Sequence, residues 1–436
     1  MSKTFSNSLF VIIYILAFTA NSRCTTPIDS VEVLIREDKF LEAVPILTRL
    51  AKKDTTNFDN YYYLGKCYQN LSDHSRACYY FQQGLRIDPL NQRCLSSLGA
   101  SYTKVKLYDQ AIQQYLKLLQ LDKNNTSAKL QLGKIYIKQD NYFAASNIFR
   151  ELSEIPVLHN VALVNLGFCA FQVENYSRAI NYLKEAYKND PDNFRTLYLL
   201  IRSYYKSGNY KYALVLAERG LKVYPDQTFL LHSKATILFN LKLFKKAIPV
   251  YTKLIELKNN PDFQDYQKLG ICYYYENKLK LADLKLRESY KKDSSNALTS
   301  YYLGVTNLEL NNFESASKYL EKTINLSAPS FLGDTYFYLA SVNSREQNFS
   351  EAIANYKRAL QFSPESPEIY YYLASLYDKH LGLKDTALIY YRKYVNSPGK
   401  KDKIDVMGNY AELRIQQIIE NAFLHDKEKF NEMTSE

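Results

Sequence analysis

The sequence is poor in the residue patterns that catalytic and metal-binding sites usually need. It has no tryptophan and only 5 histidines, and no histidine pair has the His-Glu-x-x-His spacing of a zinc enzyme. Glycine-rich phosphate loops and the Gly-x-Ser-x-Gly nucleophile turn are absent as well. The 6 cysteines include no Cys-x-x-Cys pair, which disfavours a structural zinc site. We therefore expect no catalytic residues, no metal and no cofactor.

An apolar run near the N-terminus, from Leu9 to Ala20, follows the single basic residue Lys3 and overlaps a small-x-small sequence, Ala20-Asn21-Ser22. This order is typical of a secretory signal peptide, predicted here as residues 1–22, and the run is shorter than the roughly 20 residues that span a bilayer. We therefore expect an exported protein that is periplasmic, membrane-associated or extracellular. Two alternatives stay open: an uncleaved anchor, or a lipoprotein acylated at Cys24, although the residue before it is not the small one that such signals prefer.

The stretch from Asn60 to Asn91 has the pattern of two packed helices. Its marked positions are, in order, Tyr61, Leu64, Gly65, Tyr68, Ala77, Phe81 and Pro89. The first rings and the leucine are three and four residues apart, which predicts one apolar face of a helix. The small residues Gly65 and Ala77 predict where the two helices approach each other closely, and Pro89 ends the second helix.

The alanine of this pattern recurs at a nearly constant interval. Successive copies are 34 to 36 residues apart over eleven positions, which a chance composition would not maintain. They are Ala43, Ala77, Ala111, Ala145, Ala179, Ala213, Ala247, Ala282, Ala316, Ala352 and Ala387. The small residue of the first helix recurs with the same period, and Ile201 is the one bulky departure. Asparagine, a preferred N-cap, stands before five second helices, as Asn141, Asn175, Asn209, Asn312 and Asn348.

The order and spacing resemble the tetratricopeptide repeat, a helix-turn-helix module of about 34 residues, with Tyr61 where that family usually has a tryptophan. The resemblance covers roughly residues 31 to 396. It implies an all-α fold, a right-handed superhelical solenoid of about eleven helix-turn-helix units in which each pair stacks on its neighbours. We predict a leader and first, partial repeat over 23–57 and one continuous solenoid over 58–396.

Departures from the regular spacing lie at two joins and at the C-terminal end. Extra residues at Lys258–Asp262 and Ser327–Asp334 predict loops or kinks. Apolar residues at helical spacing predict an amphipathic helix over 403–424. Because a solenoid ends on an apolar face, we interpret this helix as a cap, and a partner-binding helix is the alternative. The polar tail over 425–436 is predicted to fray.

The cysteines and scattered polar residues have structural interpretations. Setting Cys24 aside, Cys67, Cys169 and Cys272 each follow the small glycine of their repeat by two residues, so we expect them in the core. A disulfide between Cys67 and Cys94 is the alternative, since an exported protein meets an oxidising compartment. We expect carboxylates on solvent-facing sides of helices, and His232 as an ordinary surface residue.

The first helices supply the predicted binding surface. In stacks of this kind they line the inner groove, and basic side chains alternating with rings suit an extended acidic peptide through charge-assisted hydrogen bonds and stacking. The predicted partner-binding residues are Lys66, Lys104, Lys134, Lys138, Phe168, Phe171, Arg195, Tyr198, Arg202, Tyr205 and Lys206. Farther along the chain the same face is predicted to be aromatic and neutral, with Phe229, Phe239, Tyr274, Tyr275 and Tyr301.

The net charge of +11, from 56 basic and 45 acidic residues, also favours an acidic partner, although plain solvation of helix surfaces would account for it too. Lys66 and Asn70 resemble part of the clamp with which the best-known repeats hold a peptide carboxylate, but Ala100 and Thr103 stand where a matching asparagine is needed. The resemblance therefore implies a non-enzymatic scaffold or adaptor with a protein or peptide partner and no small-molecule substrate. A binding subunit for an acidic polymer, glycan or nucleic acid is the alternative, and the export signal disfavours nucleic acid. Membrane contact is expected only through Cys24 or an uncleaved signal.

Overall fold

The computed structural model describes residues 27–326, 329–397 and 406–425. Every regular element in those ranges is an α-helix, and within each range successive helices are joined by short turns. The predicted all-α repeat fold is therefore confirmed. The predicted signal segment with Cys24 and the polar tail after His425 lie outside the described residues.

The chain forms two compact units, one ending at Asn209 and the other beginning at Tyr210. Unit 1 has α1 (Pro27–Arg36), α2 (Phe40–Lys53), α3 (Phe58–Asn70), α4 (His74–Ile87), α5 (Gln92–Lys104), α6 (Tyr108–Leu121), α7 (Thr126–Lys138), α8 (Tyr142–Ser153), α9 (Pro156–Gln172), α10 (Tyr176–Asn189) and α11 (Phe194–Lys206). Unit 2 has α12 (Tyr210–Val223), α13 (Thr228–Asn240), α14 (Phe244–Leu257), α15 (Phe263–Tyr275), α16 (Leu279–Lys292), α17 (Ala297–Glu309), α18 (Phe313–Leu326), α19 (Pro329–Arg345), α20 (Phe349–Phe362), α21 (Pro367–Lys379), α22 (Lys384–Val395) and α23 (Val406–His425).

Odd-numbered helices up to α21 are the first helices of the repeats, and even-numbered ones are the second helices. The opening helix, α1, has 10 residues, whereas α3 has 13. The repeat period runs through the boundary between the two units without a change, because Ala179 and Ala213 are 34 residues apart. This is why the sequence pattern contains no sign of the division.

The repeat alanines lie where helices approach one another. All eleven are fully buried, as their periodicity predicts. A Cβ placed on Gly65 would lie 2.5 Å from the ring of Phe81, and a Cβ on Gly167 would lie 2.5 Å from Leu183. The small residue of a first helix thus faces the large side chain four residues after the alanine of the second helix. Glycine is needed at these two positions because no real Cβ contact is that short.

Each turn inside a repeat contains one residue in the left-handed backbone region. The residue five positions before the repeat alanine has positive φ in all eleven turns, from 54° at Asn277 to 78° at Gly208. In the turn after α3, the N–H of Asp73 donates to the carbonyl of Tyr68 at 2.9 Å, which is the six-to-one bond of a Schellman motif. This motif ends the first helix and fixes the reversal of the chain.

Asparagine caps helices of both kinds. Asn141 and Asn175 accept hydrogen bonds from the backbone N–H three residues ahead, as predicted. Asn348 stands at the N-cap position of its helix, as predicted, but its side chain makes no capping bond. The side chains of Asn209 and Asn312 donate to neighbouring residues. Five caps that the sequence interpretation missed precede first helices: Asn57, Asn91, Asn125, Asn193 and Asn296.

Two first helices, α9 and α19, are one turn longer than the others. Each has 17 residues, whereas α3 has 13, and each begins with a proline, Pro156 or Pro329. Proline suits the first helical position because its φ is already helical and its missing N–H would have no partner there. The loop predicted at Ser327–Asp334 is therefore wrong from Pro329 onward, where the chain is already helical. The loop at Lys258–Asp262 does connect α14 to α15.

The C-terminal helix α23 packs on α22 and covers the last repeat, burying Ala411 and Ile418. Arg414 makes two hydrogen bonds with the carboxylate of Asp378, Nε to Oδ2 at 2.8 Å and Nη2 to Oδ1 at 2.7 Å. Lys384 Nζ donates to the same carboxylate at 2.5 Å. The carboxylate has no exposed surface, which corrects the expectation that carboxylates lie on solvent-facing sides of helices.

Candidate functional site

The exposed positions of α3, α5, α7, α9 and α11 are here called the first-helix face of unit 1. The structure places ten of the eleven predicted binding residues on this face with side chains that solvent reaches. Lys104, Lys134, Lys138, Arg195 and Lys206 are exposed, whereas Lys66, Phe168, Tyr198, Arg202 and Tyr205 are half-buried. Phe171 is buried, and this departs from the sequence-based expectation.

Charge on these five helices is almost all of one sign. They carry nine lysines and arginines and one acidic residue, Asp59. The basic residues are Lys66, Arg93, Lys104, Lys129, Lys134, Lys138, Arg195, Arg202 and Lys206. The five complete first helices of unit 2 carry four basic and five acidic residues, so among the first helices the excess of positive charge lies in unit 1.

Arg202 on α11 is held over two aromatic rings. Its guanidinium carbon lies 4.7 Å from the ring centre of Phe171 and 5.3 Å from that of Tyr198, and its Nη1 donates to the Tyr198 hydroxyl at 2.7 Å. Phe171 lies beneath this guanidinium and keeps 6% of its surface exposed, so it supports Arg202 instead of contacting a ligand. A guanidinium stacked on rings keeps donors in its plane and is therefore positioned for a carboxylate before any ligand arrives.

The same contact recurs at the second residue of two first helices. Arg195 on α11 lies 5.8 Å from the ring centre of Phe168 on α9. Arg93 on α5 lies 4.8 Å from that of Tyr62 on α3, and it is 3.7 Å from a carboxylate oxygen of Asp59. In both cases the arginine extends from one first helix onto a ring of the preceding first helix. The contact therefore follows the repeat register.

Apart from Lys129, whose Nζ donates to Glu151 Oε2 at 2.7 Å, the lysines of these helices are held less firmly than the arginines. Lys66 Nζ donates to Gln69 Oε1 at 3.0 Å, and Lys138 Nζ lies 6.0 Å from the ring centre of Tyr108. Within the described ranges, Lys104, Lys134 and Lys206 have no hydrogen bond or ion pair. Flexible ammonium groups of this kind add positive potential without fixing the direction of a ligand.

The two-repeat carboxylate clamp is not assembled. Asn70 Nδ2 donates to the carbonyl of Lys66 at 3.1 Å, and Thr103 Oγ1 donates to the carbonyl of Gly99 at 2.8 Å. Both polar groups are thus bound to their own helices. Neither group is therefore free to complete a clamp between α3 and α5.

The corresponding surface of unit 2 is aromatic and neutral, as predicted. Tyr275 stacks on Phe244 with ring centres 4.6 Å apart, and its hydroxyl lies 3.1 Å from that of Tyr302. Burial raises the pKa of Tyr274 to about 12, so this hydroxyl stays neutral at physiological pH. Unit 2 therefore lacks the electrostatic character of the first-helix face of unit 1.

A second buried carboxylate, Asp265 on α15, corrects the same expectation as Asp378. Its Oδ1 lies 3.3 Å from His232 Nδ1, and its Oδ2 accepts a hydrogen bond from Lys258 Nζ. Burial alone would raise the pKa of Asp265, but hydrogen bonds from His232 and Lys258 outweigh burial and hold the pKa below its usual range. His232 is therefore bound to a core carboxylate. The repeat register contained a signal that Asp265 would be buried. Asp265 stands five residues before the glycine of its first helix, as Cys94 and Thr299 do in theirs, and this position holds a buried residue in all three repeats.

The five described cysteines are all free and buried. Burial raises the pKa of Cys67, Cys78 and Cys169 to about 11 and that of Cys94 and Cys272 to about 12. The thiols are therefore protonated core groups, and Cys67 and Cys94 do not form the alternative disulfide.

The part of the chain that the structure describes contains no candidate for a metal-binding cluster or for a membrane-spanning helix. Within those ranges, no cluster of three or more histidine, cysteine, aspartate or glutamate side chains is placed to hold a metal ion. No helix there combines the length and the apolar content that crossing a membrane requires.

The helical fold and the periodic small residues define a protein of the tetratricopeptide-repeat type. Family models for tetratricopeptide repeats match residues 170–235, 230–261 and 345–380. The model described as anaphase-promoting complex, cyclosome, subunit 3 matches residues 37–118. The chain therefore carries tetratricopeptide repeats. No curated protein matches the sequence.

Several solved structures resemble the chain at low sequence identity. The crystal structure of the APC/C hetero-tetramer Cut9-Hcn1 is 14% identical over 94% of this chain and 98% of that chain, with a TM-score of 0.44. A tetratricopeptide repeat protein from Parabacteroides merdae ATCC 43184 is 17% identical over 57% of this chain and 98% of that chain, with a TM-score of 0.43. YrrB, described as a TPR protein with an unusual peptide-binding site, is 18% identical over 43% of this chain and 97% of that chain, with a TM-score of 0.38. These similarities concern the fold alone.

Proposed function

We propose that this protein is a non-enzymatic interaction scaffold or adaptor, and that the first-helix face of unit 1 binds an extended, acidic segment of a partner protein. The observation that carries the proposal is the charge of that face, nine basic residues against one acidic residue, together with arginines held over rings. Hydrogen bonds between guanidinium and carboxylate are among the strongest that proteins make, and the rings add contact area for apolar side chains.

The local charge bias argues against simple solvation as its cause. If basic residues only reflected the composition of the chain, the first helices of both units would have a ratio near the 56 basic to 45 acidic residues of the whole sequence. The first helices of unit 2 are close to that balance, with four basic and five acidic residues. Those of unit 1 are not. A positive first-helix face in unit 1, with no counterpart among the first helices of unit 2, is what an acidic ligand requires.

An acidic polymer, glycan or nucleic acid is the second candidate ligand, because arginine and tyrosine also bind polyanions through charge and stacking. The two candidates differ in their dependence on salt. A polyanion displaces counterions on binding, so its affinity falls steeply as salt is raised. A peptide held through a few oriented carboxylates loses less affinity for the same increase in salt.

The test measures fluorescence anisotropy of three labelled probes: a peptide of alternating glutamate and serine, a heparin oligosaccharide and single-stranded DNA. The variant carries Arg195→Glu, Arg202→Glu and Lys206→Glu. The matched control carries Lys117→Glu, Lys184→Glu and Lys188→Glu, which changes net charge equally but on the exposed surfaces of α6 and α10. We expect the peptide to bind at moderate salt, and the face variant to bind it at least about tenfold more weakly than the control does.

If both variants lose the same affinity for the peptide, the loss follows from net charge alone and contradicts binding at the proposed face. Tight binding of heparin or DNA with a steep salt dependence, and none of the peptide, would replace the peptide proposal by the second candidate.

We also propose, from the sequence of residues 1–22, that the chain acts outside the cytoplasm. Expression of the full chain and of a variant lacking residues 2–22, followed by cell fractionation, tests this proposal. Labelling with a radioactive fatty acid, compared between the wild type and Cys24→Ser, tests whether the exported chain is acylated. If the full chain and the variant lacking residues 2–22 are distributed identically between the fractions, the proposal of export is contradicted.

A further inference from the structure

A cavity of about 210 Å³ lies on the side of unit 1 formed by second helices, between α8 and α10. Its floor is formed by α9 and includes Leu166, Cys169 and Ala170, all buried. The Cys169 thiol is uncharged there, because burial raises its pKa to about 11. The same helix presents Phe168 to the first-helix face, so the cavity and that face are distinct sites.

The cavity has positive charge and no negative charge. Arg150 of α8 and Arg178 of α10 line it, and its lining contains no aspartate or glutamate. Arg150 Nη1 donates to Asn147 Oδ1 at 3.2 Å, which leaves its other donors available. The guanidinium of Arg178 has no partner within the described ranges, and only the backbone N–H of that residue is bound, to Asn175. An anion entering this cavity would find two guanidinium groups without a competing carboxylate.

A cavity at the corresponding place in unit 2 provides an internal comparison. It adjoins α19, which is the other 17-residue first helix, and is lined by residues of α18, α19 and α20. Its charged lining residues are Glu321, Glu351 and Arg358. The two cavities occupy the same place in the repeat, but only the cavity of unit 1 has a lining whose charges favour an anion. The paired arginines of unit 1 are therefore not a consequence of the fold.

Large apolar side chains at the rim favour a macromolecular ligand. Phe143 lines the cavity and has 80% of its surface exposed, and Val173 has 58% exposed. A small ion seated between the arginines would leave both side chains in water. A peptide that continues over the rim would cover them and gain the hydrophobic contribution of that burial.

We infer that this cavity binds the C-terminal residue of a partner protein, with a large apolar side chain on the floor and the terminal carboxylate on Arg178 and Arg150. An apolar group and an anion must lie within a few ångströms of each other to occupy one cavity of about 210 Å³. A C-terminal residue with a large apolar side chain has both groups on the same Cα. The rest of the peptide passes over Phe143 and Val173.

The absence of tryptophan from the chain provides the assay. The probes are the peptide acetyl-Gly-Ser-Gly-Trp with a free carboxylate and the same peptide as its C-terminal amide, each titrated with the full chain while the tryptophan fluorescence is recorded. The variants are Arg178→Gln and Phe143→Ala. Their matched controls are Lys184→Gln, an exposed basic residue of the same helix as Arg178, and Val157→Ala, an exposed apolar residue outside the cavity.

We expect the free acid to bind the wild type and both controls alike, and to bind Arg178→Gln about tenfold or more weakly, because hydrogen bonds to a charged group are lost. Phe143→Ala should weaken binding several-fold, and the amide should bind the wild type no better than the acid binds Arg178→Gln. Because Phe143 and Arg178 are exposed, we expect both variants to fold as the wild type does.

Three outcomes would overturn the inference. The first is no change of fluorescence with the free acid at millimolar protein. The second is equal binding of the acid and the amide. The third is loss of binding in the Arg195→Glu, Arg202→Glu and Lys206→Glu variant with none in Arg178→Gln, which would place the peptide on the first-helix face.

Discussion

Two glycines in one repeat should respond in opposite ways to replacement by alanine. A Cβ on Gly65 of α3 would lie 2.5 Å, 2.6 Å and 2.9 Å from three ring atoms of Phe81, and that ring has no exposed surface into which it could swing. A Cβ on Gly84 of α4 would be 3.4 Å from Phe58 and 3.5 Å from the sulfur of Cys94, which are ordinary contacts. Both glycines lie inside helices, so the gain in helix propensity on replacement is about the same, ~1 kcal/mol.

The difference therefore comes from packing. Overpacking a filled core costs about 1–3 kcal/mol, and contact with three ring atoms below 3 Å places Gly65→Ala in the upper part of that range. After the gain in propensity, we expect Gly65→Ala to lose roughly 2 kcal/mol of local stability. Gly84→Ala should gain up to about 1 kcal/mol, because no packing cost opposes the propensity.

Hydrogen exchange followed by mass spectrometry is the suitable assay, because a long repeat protein need not unfold in one step. The slowest-exchanging amides of a peptide covering residues 58–87 report the opening free energy of α3 and α4 directly. Equal or greater protection in Gly65→Ala, or a clear loss in Gly84→Ala, would show that the distance to the facing side chain does not decide which glycines are required.

Two further predictions concern the buried polar and sulfur-containing groups. Asp378→Asn should speed hydrogen exchange throughout α23, with a loss of about 1.5–3 kcal/mol, because the charged hydrogen bonds from Arg414 and Lys384 are lost. Burial would raise the pKa of Asp378, but the hydrogen bonds from Arg414 and Lys384 outweigh burial and lower the pKa. The ionised carboxylate therefore stabilises the fold above the usual pKa of about 3.9, and this stabilisation is lost as the pH falls below that value. The wild type should lose protection of α23 in acid whereas Asp378→Asn shows no such step, and an unchanged exchange rate in that variant at neutral pH would contradict the argument. In a Cys24→Ser background, an aromatic disulfide reagent at neutral pH should leave the five buried thiols unmodified until denaturant is added, since burial raises their pKa to about 11 or 12. Rapid reaction of the native protein would show that the thiols are accessible.

The repeat fold could be predicted because its determinants lie within one period of the sequence. A close helix crossing admits only a small side chain, so the same position must be small in every copy, and the eleven alanines record that requirement. The sequence did not determine helix lengths, because extra residues between two helices can form either a loop or an added helical turn. The structure resolved that ambiguity at Pro329, where the added residues are helical.

The candidate face was predicted at the level of position but not of role. Offsets from the small residues placed Arg195, Arg202 and Lys206 on the exposed side of α11. They also placed Phe171 on the exposed side of α9, but it is buried, because Arg202 of the next repeat lies over its ring. A periodicity describes the face of one helix and contains no information on which side chain of the neighbouring repeat covers it.

What the sequence determined by itself is the period, the all-α class and the side of each helix that packs, since these follow from the volume of a side chain at a fixed place in a repeated unit. The tertiary structure decided which charges are buried. Asp265 depends on Lys258 and His232, and Asp378 depends on Arg414, which is 36 residues away. A carboxylate can leave water only where cations from other elements meet it, and that meeting is a property of the folded chain.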